Sequence, residues 1–187
     1  VLIGMIWAQS ANGALAQGMD LPWDIPEDRS FFRESVRGRP LVMGRRTWLA
    51  TGARVIKGSP TFVLTTNPDF DAGKAQVVTS FPQALSEAAA LGTDLLWVAG
   101  GARIYAETEP LADILVRTAV DMKVDDADVF APPLSGTWLL RAAAPSSESW
   151  QFSKTGTRYR YELLTRPGVQ LPSGVPFDPP ETAFRTN

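Results

Sequence analysis

Neither cysteine nor histidine occurs anywhere in the 187 residues. The first absence removes disulfides, thiol nucleophiles and thiolate metal sites together. The second removes imidazole, so acid–base chemistry must run through a carboxylate, a tyrosine, a lysine or water, and zinc and serine–histidine mechanisms are excluded. Charge of one sign is lacking as well. Eighteen Lys and Arg against 20 Asp and Glu leave a formal net charge of −2, which offers no basic field to nucleic acid or anionic membrane. No run approaches the roughly 20 apolar residues of a membrane span. The opening VLIGMIWAQSANGALAQ places an apolar run before Ala-Leu-Ala, but it lacks a positive leading region and Gln9, Ser10 and Asn12 interrupt it, so it does not read as a signal peptide. A small-molecule partner, no metal, and a cytoplasmic location are the expectations.

What is present is ordinary for a globular chain: 44% apolar and 20% charged residues, in a length that fits one domain burying about two-thirds of its unfolded surface. Apolar runs rich in β-branched residues alternate with helical patterns. VLIGMIWA (1–8), PLVMG (40–44), TFVLTT (61–66), QVVTS (76–80), DLLWVAG (94–100) and ADILVRTAV (112–120) read as strands, with helices near 26–37, 82–91 and 102–109. That alternation predicts an α/β fold, a mainly parallel sheet with helices on its faces. SWQFSKTGTRYRYELLTR (149–166) differs: a Lys-Thr-Gly-Thr turn between two alternating segments predicts an antiparallel hairpin at a sheet edge. From Pro167 the chain is proline-rich and aperiodic, so residues 167–187 are expected to form a mobile or loosely docked tail.

The helix at LPWDIPEDRSFFRESVRG (21–38) carries the first chemical signal. Pro26 suits its first position and Gly38 its end. Residues three and four apart share a face, so Asp28 lies with Phe31, Phe32 and Ser35, while Glu27 lies with Glu34 and Arg37 and faces outward. A first-turn acid can serve the helix dipole alone. A carboxylate against aromatic rings is costly unless paired, and a ligand can supply the pairing. The pattern alone leaves both readings open.

Two strand–glycine–helix junctions carry the second signal. VMGRRTW (42–48) breaks at Gly44 into Arg45, Arg46 and Thr47, and WVAGGARIY (97–105) turns at Gly100 and Gly101. Glycine permits close backbone approach, while hydroxyl, N–H and guanidinium groups suit phosphate oxygens. A Gly-Gly pair can equally serve tight packing. The G-x-G-x-x-G fingerprint is absent. Two phosphate-suited turns on one sheet point to an extended cofactor with separated phosphates, and the arginines beside Thr65 and Thr66 favour NADP over NAD.

Taken in order, IWAQSANGALAQGMDLPW, PEDRSFFRE, VMGRRTW, WVAGGARIYA, RTAVD and FSKTGTRYRYEL over residues 1–166 resemble dihydrofolate reductase, its actinobacterial forms in particular. The resemblance implies a catalytic domain over 1–166 with a central eight-stranded, mostly parallel sheet, an antiparallel C-terminal hairpin and about four flanking helices. It implies NADPH as hydride donor and reduction of dihydrofolate to tetrahydrofolate. Asp28 falls on the family's one ionisable catalytic group, pairing with N3 and the 2-amino group of the pterin; Thr118 would hydrogen-bond it and Trp23 would hold a bridging water. The proton at N5 is taken to arrive through water. Ile6, Ala8, Leu21, Phe32, Arg33, Lys57, Ala99 and Tyr105 fall at the substrate. The cofactor would meet Leu15, Gly18 and Met19 from the lid loop GALAQGMDLPW (13–23), Gly44, Arg45, Arg46 and Thr47, then Leu64, Thr65 and Thr66. At the second turn it would meet Gly100, Gly101, Ala102, Arg103 and Ile104. Met19 stands where several relatives carry glycine, which stiffens the lid. A monomer is expected.

The chain departs from the family pattern in two places. Where the family carries an arginine that forks the substrate's α-carboxylate, ARVIKGSPTFVLTT (53–66) has Ser59, and serine makes no bidentate charged contact. Lys57, two residues earlier, lies on the same side if the backbone is extended, and Arg33 is also within the helix. Ala99 replaces a larger aliphatic residue and widens the pocket. These departures leave a second reading, a reductase of another pterin or a pyrimidine precursor with weak dihydrofolate activity.

Overall fold

A computed structural model describes residues 1–18 and 20–176. In chain order the elements are β1 (Leu2–Ser10), β2 (Ala14–Ala16), α1 (Pro26–Val36), β3 (Leu41–Gly44), α2 (Arg45–Ala50), β4 (Thr61–Leu64), β5 (Gln76–Val78) and α3 (Phe81–Ala90). They continue with β6 (Leu95–Val98), α4 (Ala102–Thr108), a 3-10 turn (Glu109–Leu111), β7 (Ile114–Val120), β8 (Val129–Phe130), β9 (Leu139–Ala144), β10 (Gln151–Phe152) and β11 (Arg158–Thr165). Eight strands lie side by side in the order β10-β11-β7-β1-β6-β3-β4-β5, and β9 pairs with β11 as a ninth. From β7 to β5 every pairing is parallel, and β11 pairs antiparallel with β7, β10 and β9. The parallel sheet with an antiparallel hairpin is therefore as expected.

Alternation along the strands divides the core. Ile3, Met5 and Trp7 of β1 join Val42, Leu96, Val98 and Leu115 on one face, against α3 and α4. Ile6, Leu41, Met43, Leu95, Trp97 and Val116 point to the other, against Phe31 and Val36 of α1 and Trp48 of α2. Both-sided burial explains why these strands read as continuous apolar runs. Gly4 is fixed by that packing, since a Cβ there would stand 2.7 Å from the Trp97 ring. Parallel pairing turns the carboxyl ends of β1, β6, β3 and β4 to one side, where α/β sheets bind ligands.

Sequence reasoning missed three strands. β2 and β8 form a separate two-stranded antiparallel pair, too short for periodicity to show. β9 is largely exposed at its start, with Leu139 and Leu140 open to solvent. The expectation of a loose tail from Pro167 is corrected over its described part: Val175 is fully buried, Val169 and Leu171 pack on the same core cluster, and Arg39 Nη2 donates to Ser173 O at 2.7 Å. Residues 177–187 lie outside the described residues.

Candidate active site

α1 begins without a side-chain cap, Ile25 standing at the N-cap with Pro26, Glu27 and Asp28 in the first turn. Phe31, Ser35 and Val36 are its buried residues, and Ser35 Oγ donates back to Phe31 O at 2.7 Å. The face predicted from spacing thus turns inward and carries Asp28 over the sheet. There Thr118, paired in register with Ala8 of β1 and Tyr161 of β11, donates its hydroxyl to Asp28 Oδ1 at 2.5 Å. Phe31 stacks on Tyr161 with ring centroids 3.8 Å apart. Burial pushes the Asp28 carboxyl up to about 6, against the pull of the Thr118 hydroxyl and the Arg29 guanidinium. Among the described residues no cation forms an ion pair with Asp28. Among the described residues the carboxylate therefore accepts one hydrogen bond, with acceptor capacity to spare.

Asp28 lies in the wall of a cleft of about 1970 Å³ that runs across the carboxyl ends of the strands. Thr118, Ile6, Ala8, Leu21, Phe32, Arg33, Lys57, Ala99 and Tyr105 all line it. Tyr105 is fully occupied: its hydroxyl donates to Ile6 O at 2.6 Å, its ring meets Trp7 edge-on, and burial pushes the phenol far up. It is therefore no proton donor. Leu21 is exposed on the rim.

Both glycine turns face the same cleft. Gly44, Arg45, Arg46 and Thr47 line it at the start of α2, Leu64, Thr65 and Thr66 at the end of β4, and Gly100, Gly101, Ala102, Arg103 and Ile104 at the start of α4. The turns touch: Gly44 N donates to Gly100 O at 2.7 Å. A Cβ on Gly44 would stand 3.0 Å from Ile104 Cδ1 and one on Gly101 3.3 Å from Thr47 Oγ1. Gly100, at φ +110°, has a backbone open to glycine alone. Tight packing and an open cradle are thus served by the same glycines. From the 13–23 segment, Leu15 and Gly18 reach the cleft. Its base is tethered by the β2–β8 pair and by Gly18 N donating to Asp128 Oδ1 at 2.8 Å. Met19 lies outside the described residues.

The family model described as dihydrofolate reductase matches residues 2–165 of this chain. The chain belongs to the dihydrofolate reductase family. It is 38% identical to the dihydrofolate reductase of Mycobacterium tuberculosis over 163 residues, 85% of this chain and 94% of that protein. With the Mycobacterium leprae enzyme it shares 38% identity over 170 residues, 88% and 98% of the two chains. Among solved structures, a dihydrofolate reductase from Enterococcus faecalis complexed with NADP(H) superposes with a TM-score of 0.77 at 28% identity, covering 89% of this chain and 96% of that one.

Within this dihydrofolate reductase fold one sequence expectation is revised. Lys57 lines the cleft, but Ser59 does not share its side. Ser59 N donates to Ile56 O at 2.9 Å and Gly58 has φ +82°, so residues 56–59 form a tight turn in place of an extended segment. The Ser59 hydroxyl is buried and donates to Val36 O at 2.9 Å, closing the end of α1. Trp23 is buried in the cluster that holds Ile6 and Phe31, off the cleft wall, and its indole N–H finds no partner among the described residues. Sequence reasoning also missed Arg54, which joins Lys57, Arg33 and Arg37 at one end of the cleft, and Thr79 and Ser80 beside the phosphate-suited end. The start of α3 held a legible signal for the last two: Ser80 caps the helix, accepting from Gln83 N at 3.3 Å.

Proposed function

We infer that this chain is an NADPH-dependent dihydrofolate reductase, reducing 7,8-dihydrofolate to 5,6,7,8-tetrahydrofolate with hydride delivered to C6 and a proton to N5. The observation that carries the reading is Asp28, held by Thr118 in the wall of a cleft whose far end gathers two glycine turns and three arginines, Arg45, Arg46 and Arg103. The cleft fits both partners in kind. Its Asp28 end offers an acceptor against apolar walls at Ile6, Phe32 and Ala99; its other end offers backbone, hydroxyl and guanidinium donors at Gly44 to Thr47, Thr65, Thr66 and Gly100 to Ile104. Leu15, Gly18, Met19 and Leu64 complete the cofactor wall in this reading.

Asp28, ionised in most molecules at neutral pH, accepts from N3 and the 2-amino group of the pterin, which fixes the ring against Ile6, Ala8 and Phe32. Thr118 holds the carboxylate in that orientation. With no imidazole or thiol in the chain and Tyr105 locked onto Ile6, the proton reaches N5 by way of water, and Trp23 holds a bridging water with its free indole N–H. NADPH, when bound, supplies the hydride. The protein's share is orientation, exclusion of solvent by the lid at Leu21, and the electrostatic bias of the carboxylate.

The substrate's glutamate tail meets Lys57, Arg54 and Arg33, single charges in place of a guanidinium fork. The open space beside Ala99 and the inward turn of Ser59 favour a second reading, a reductase of a dihydropterin that carries no such tail. We take residues 1–166 as the catalytic domain, acting as a cytoplasmic monomer. Support comes from a cleft complete within one chain, a net charge of −2, and the absence among the described residues of a helix long and apolar enough to cross a membrane. NADPH oxidation measured with dihydrofolate and with a tail-less dihydropterin tests both readings. Turnover preferring dihydrofolate bears out the first; equal or better turnover of the tail-less compound selects the second; none with either removes both.

A further inference from the structure

The Lys-Thr-Gly-Thr turn between β10 and β11 is more than a hairpin connection. Ser153 Oγ donates to Glu27 Oε2 at 2.6 Å, Lys154 N donates to Glu27 Oε1 at 2.8 Å, and Thr155 Oγ1 donates to Asp24 O at 2.5 Å. Glu27 is thus no idle solvent-facing acid, as helical spacing predicts. It spends both oxygens on a turn 126 residues away in sequence, and although burial works against it, the Ser153 and Lys154 hydrogen bonds hold its carboxyl below the usual range. The turn itself is firm: Ser153 N donates to Thr157 O at 2.9 Å and Gly156 N to Ser153 O at 2.8 Å. Its base is locked to β7 by Asp121 N donating to Arg158 O at 2.9 Å and by the Arg158–Asp121 ion pair.

α1 has no side-chain N-cap of its own, so this turn supplies the anchor that its first turn lacks. The residue next to Glu27 is Asp28, tied to Thr118 of the same β7. The start of the helix is therefore held at two adjacent residues by two neighbouring parts of one sheet.

We propose that Glu27 is a positioning residue for the reduction, and that the 153–156 turn, acting through it, sets the depth and direction at which Asp28 meets the substrate. This rests on the reading of Asp28 as the substrate-pairing acid. Besides Thr118 of β7, the groups that act on Asp28 and Glu27 are Arg29 on their own helix, Tyr159 and Tyr161 of β11, and Lys154 of the turn. Removing the Glu27 side chain also removes a negative charge that acts on Tyr159 and Tyr161, so movement of α1 is read from the Asp28 titration of Glu27→Ala against that of the equally uncharged Glu27→Gln.

The test compares wild type with Glu27→Ala, Glu27→Gln and Ser153→Ala. Three readouts are taken at one temperature well below each unfolding midpoint: kcat and KM for dihydrofolate in excess NADPH across pH, NADPH affinity, and the Asp28 carboxyl titration by carbon-13 NMR without ligand. Glu27→Ala is expected to lower kcat/KM about tenfold and to move the Asp28 titration toward the ordinary aspartate value as water reaches it, with NADPH affinity unchanged. Glu27→Gln, able to accept from Lys154 N and donate to Ser153 Oγ, is expected to recover the wild-type rate to within about twofold. Ser153→Ala should fall between. A Glu27→Ala protein that loses thermal stability but keeps the wild-type rate and Asp28 titration overturns the proposal, as does a Glu27→Gln protein no better than Ala. If Glu27→Ala does not fold, an unmoved titration in Ser153→Ala overturns it. A wild type that fails to oxidise NADPH with dihydrofolate sinks the functional reading, while the NMR titration still decides the clamp.

Discussion

Replacing Asp28 with asparagine should make the unliganded protein more stable while nearly abolishing turnover, and the stability gain should depend on pH in a calculable way. Burial raises the Asp28 carboxyl from 3.8 to about 6. The native state therefore holds that proton more tightly than the unfolded chain does. Stability falls as pH rises from about 3.8 through about 6 and is flat beyond, the full cost being about 3 kcal/mol. Asparagine keeps the shape and still accepts from Thr118, but never ionises. The difference between variant and wild type should thus widen by about 2 to 2.5 kcal/mol between pH 4 and pH 7. Urea unfolding at pH 4, 5, 6, 7 and 8 measures it, and a thermal midpoint raised by roughly 5 to 10 °C at pH 7 relative to pH 4 accompanies it at this chain length. At neutral pH the variant should have almost no dihydrofolate turnover and close to unchanged NADPH affinity. A stability difference that is constant across pH, or that widens toward acid, would refute the claim that this carboxylate is held out of water. If Asp28 pairs with the substrate, the enzyme carries a destabilising charge where that substrate needs one.

Thr118→Val removes the hydroxyl but not the volume. Losing a hydrogen bond to a charged group, about 1.5 to 3 kcal/mol, should lift the Asp28 titration one to two pH units above its wild-type midpoint, read by the same NMR signal or by the pH–rate profile. Lys57→Ala should raise KM for dihydrofolate several-fold and leave KM for a tail-less dihydropterin alone. Ser59→Ala should change neither KM, costing roughly 1 kcal/mol of stability through the Val36 carbonyl it abandons; a rise in KM from Ser59→Ala would put that serine back in the substrate site. Gly4→Ala forces a methyl to 2.7 Å from a fully buried Trp97 ring, and roughly 1 to 3 kcal/mol should be lost in urea unfolding.

The parts of this protein that could be read from its sequence are those whose physics is periodic. A run buried on both faces, such as LLWV in β6, announces a central strand, and the spacing of Asp28, Phe31 and Ser35 announces which side of α1 turns inward. Periodicity states that a face is buried but not what it meets. Glu27 shows the gap: helical spacing puts it outward, and outward there means against the β10–β11 turn. Ser59 shows the second kind of failure. Counting two residues from Lys57 assumes extended backbone, and Gly58 at φ +82° breaks the assumption, so one residue is left in the cleft and the other under α1. Val169, Leu171 and Val175 show the third, since a proline-rich stretch can dock by isolated apolar side chains with no repeat to betray it. Each failure turns on a contact or a single backbone angle that leaves no period in the sequence. That is also why the Asp28 end of the cleft, built from α1, the 54–58 loop and β7, was harder to read than the end with the glycine turns, where strand, glycine and helix follow one another directly. Specificity in this chain should accordingly respond to substitutions at Lys57 and Arg54 of that loop and at Glu27 of α1 more readily than to changes in the sheet that carries them.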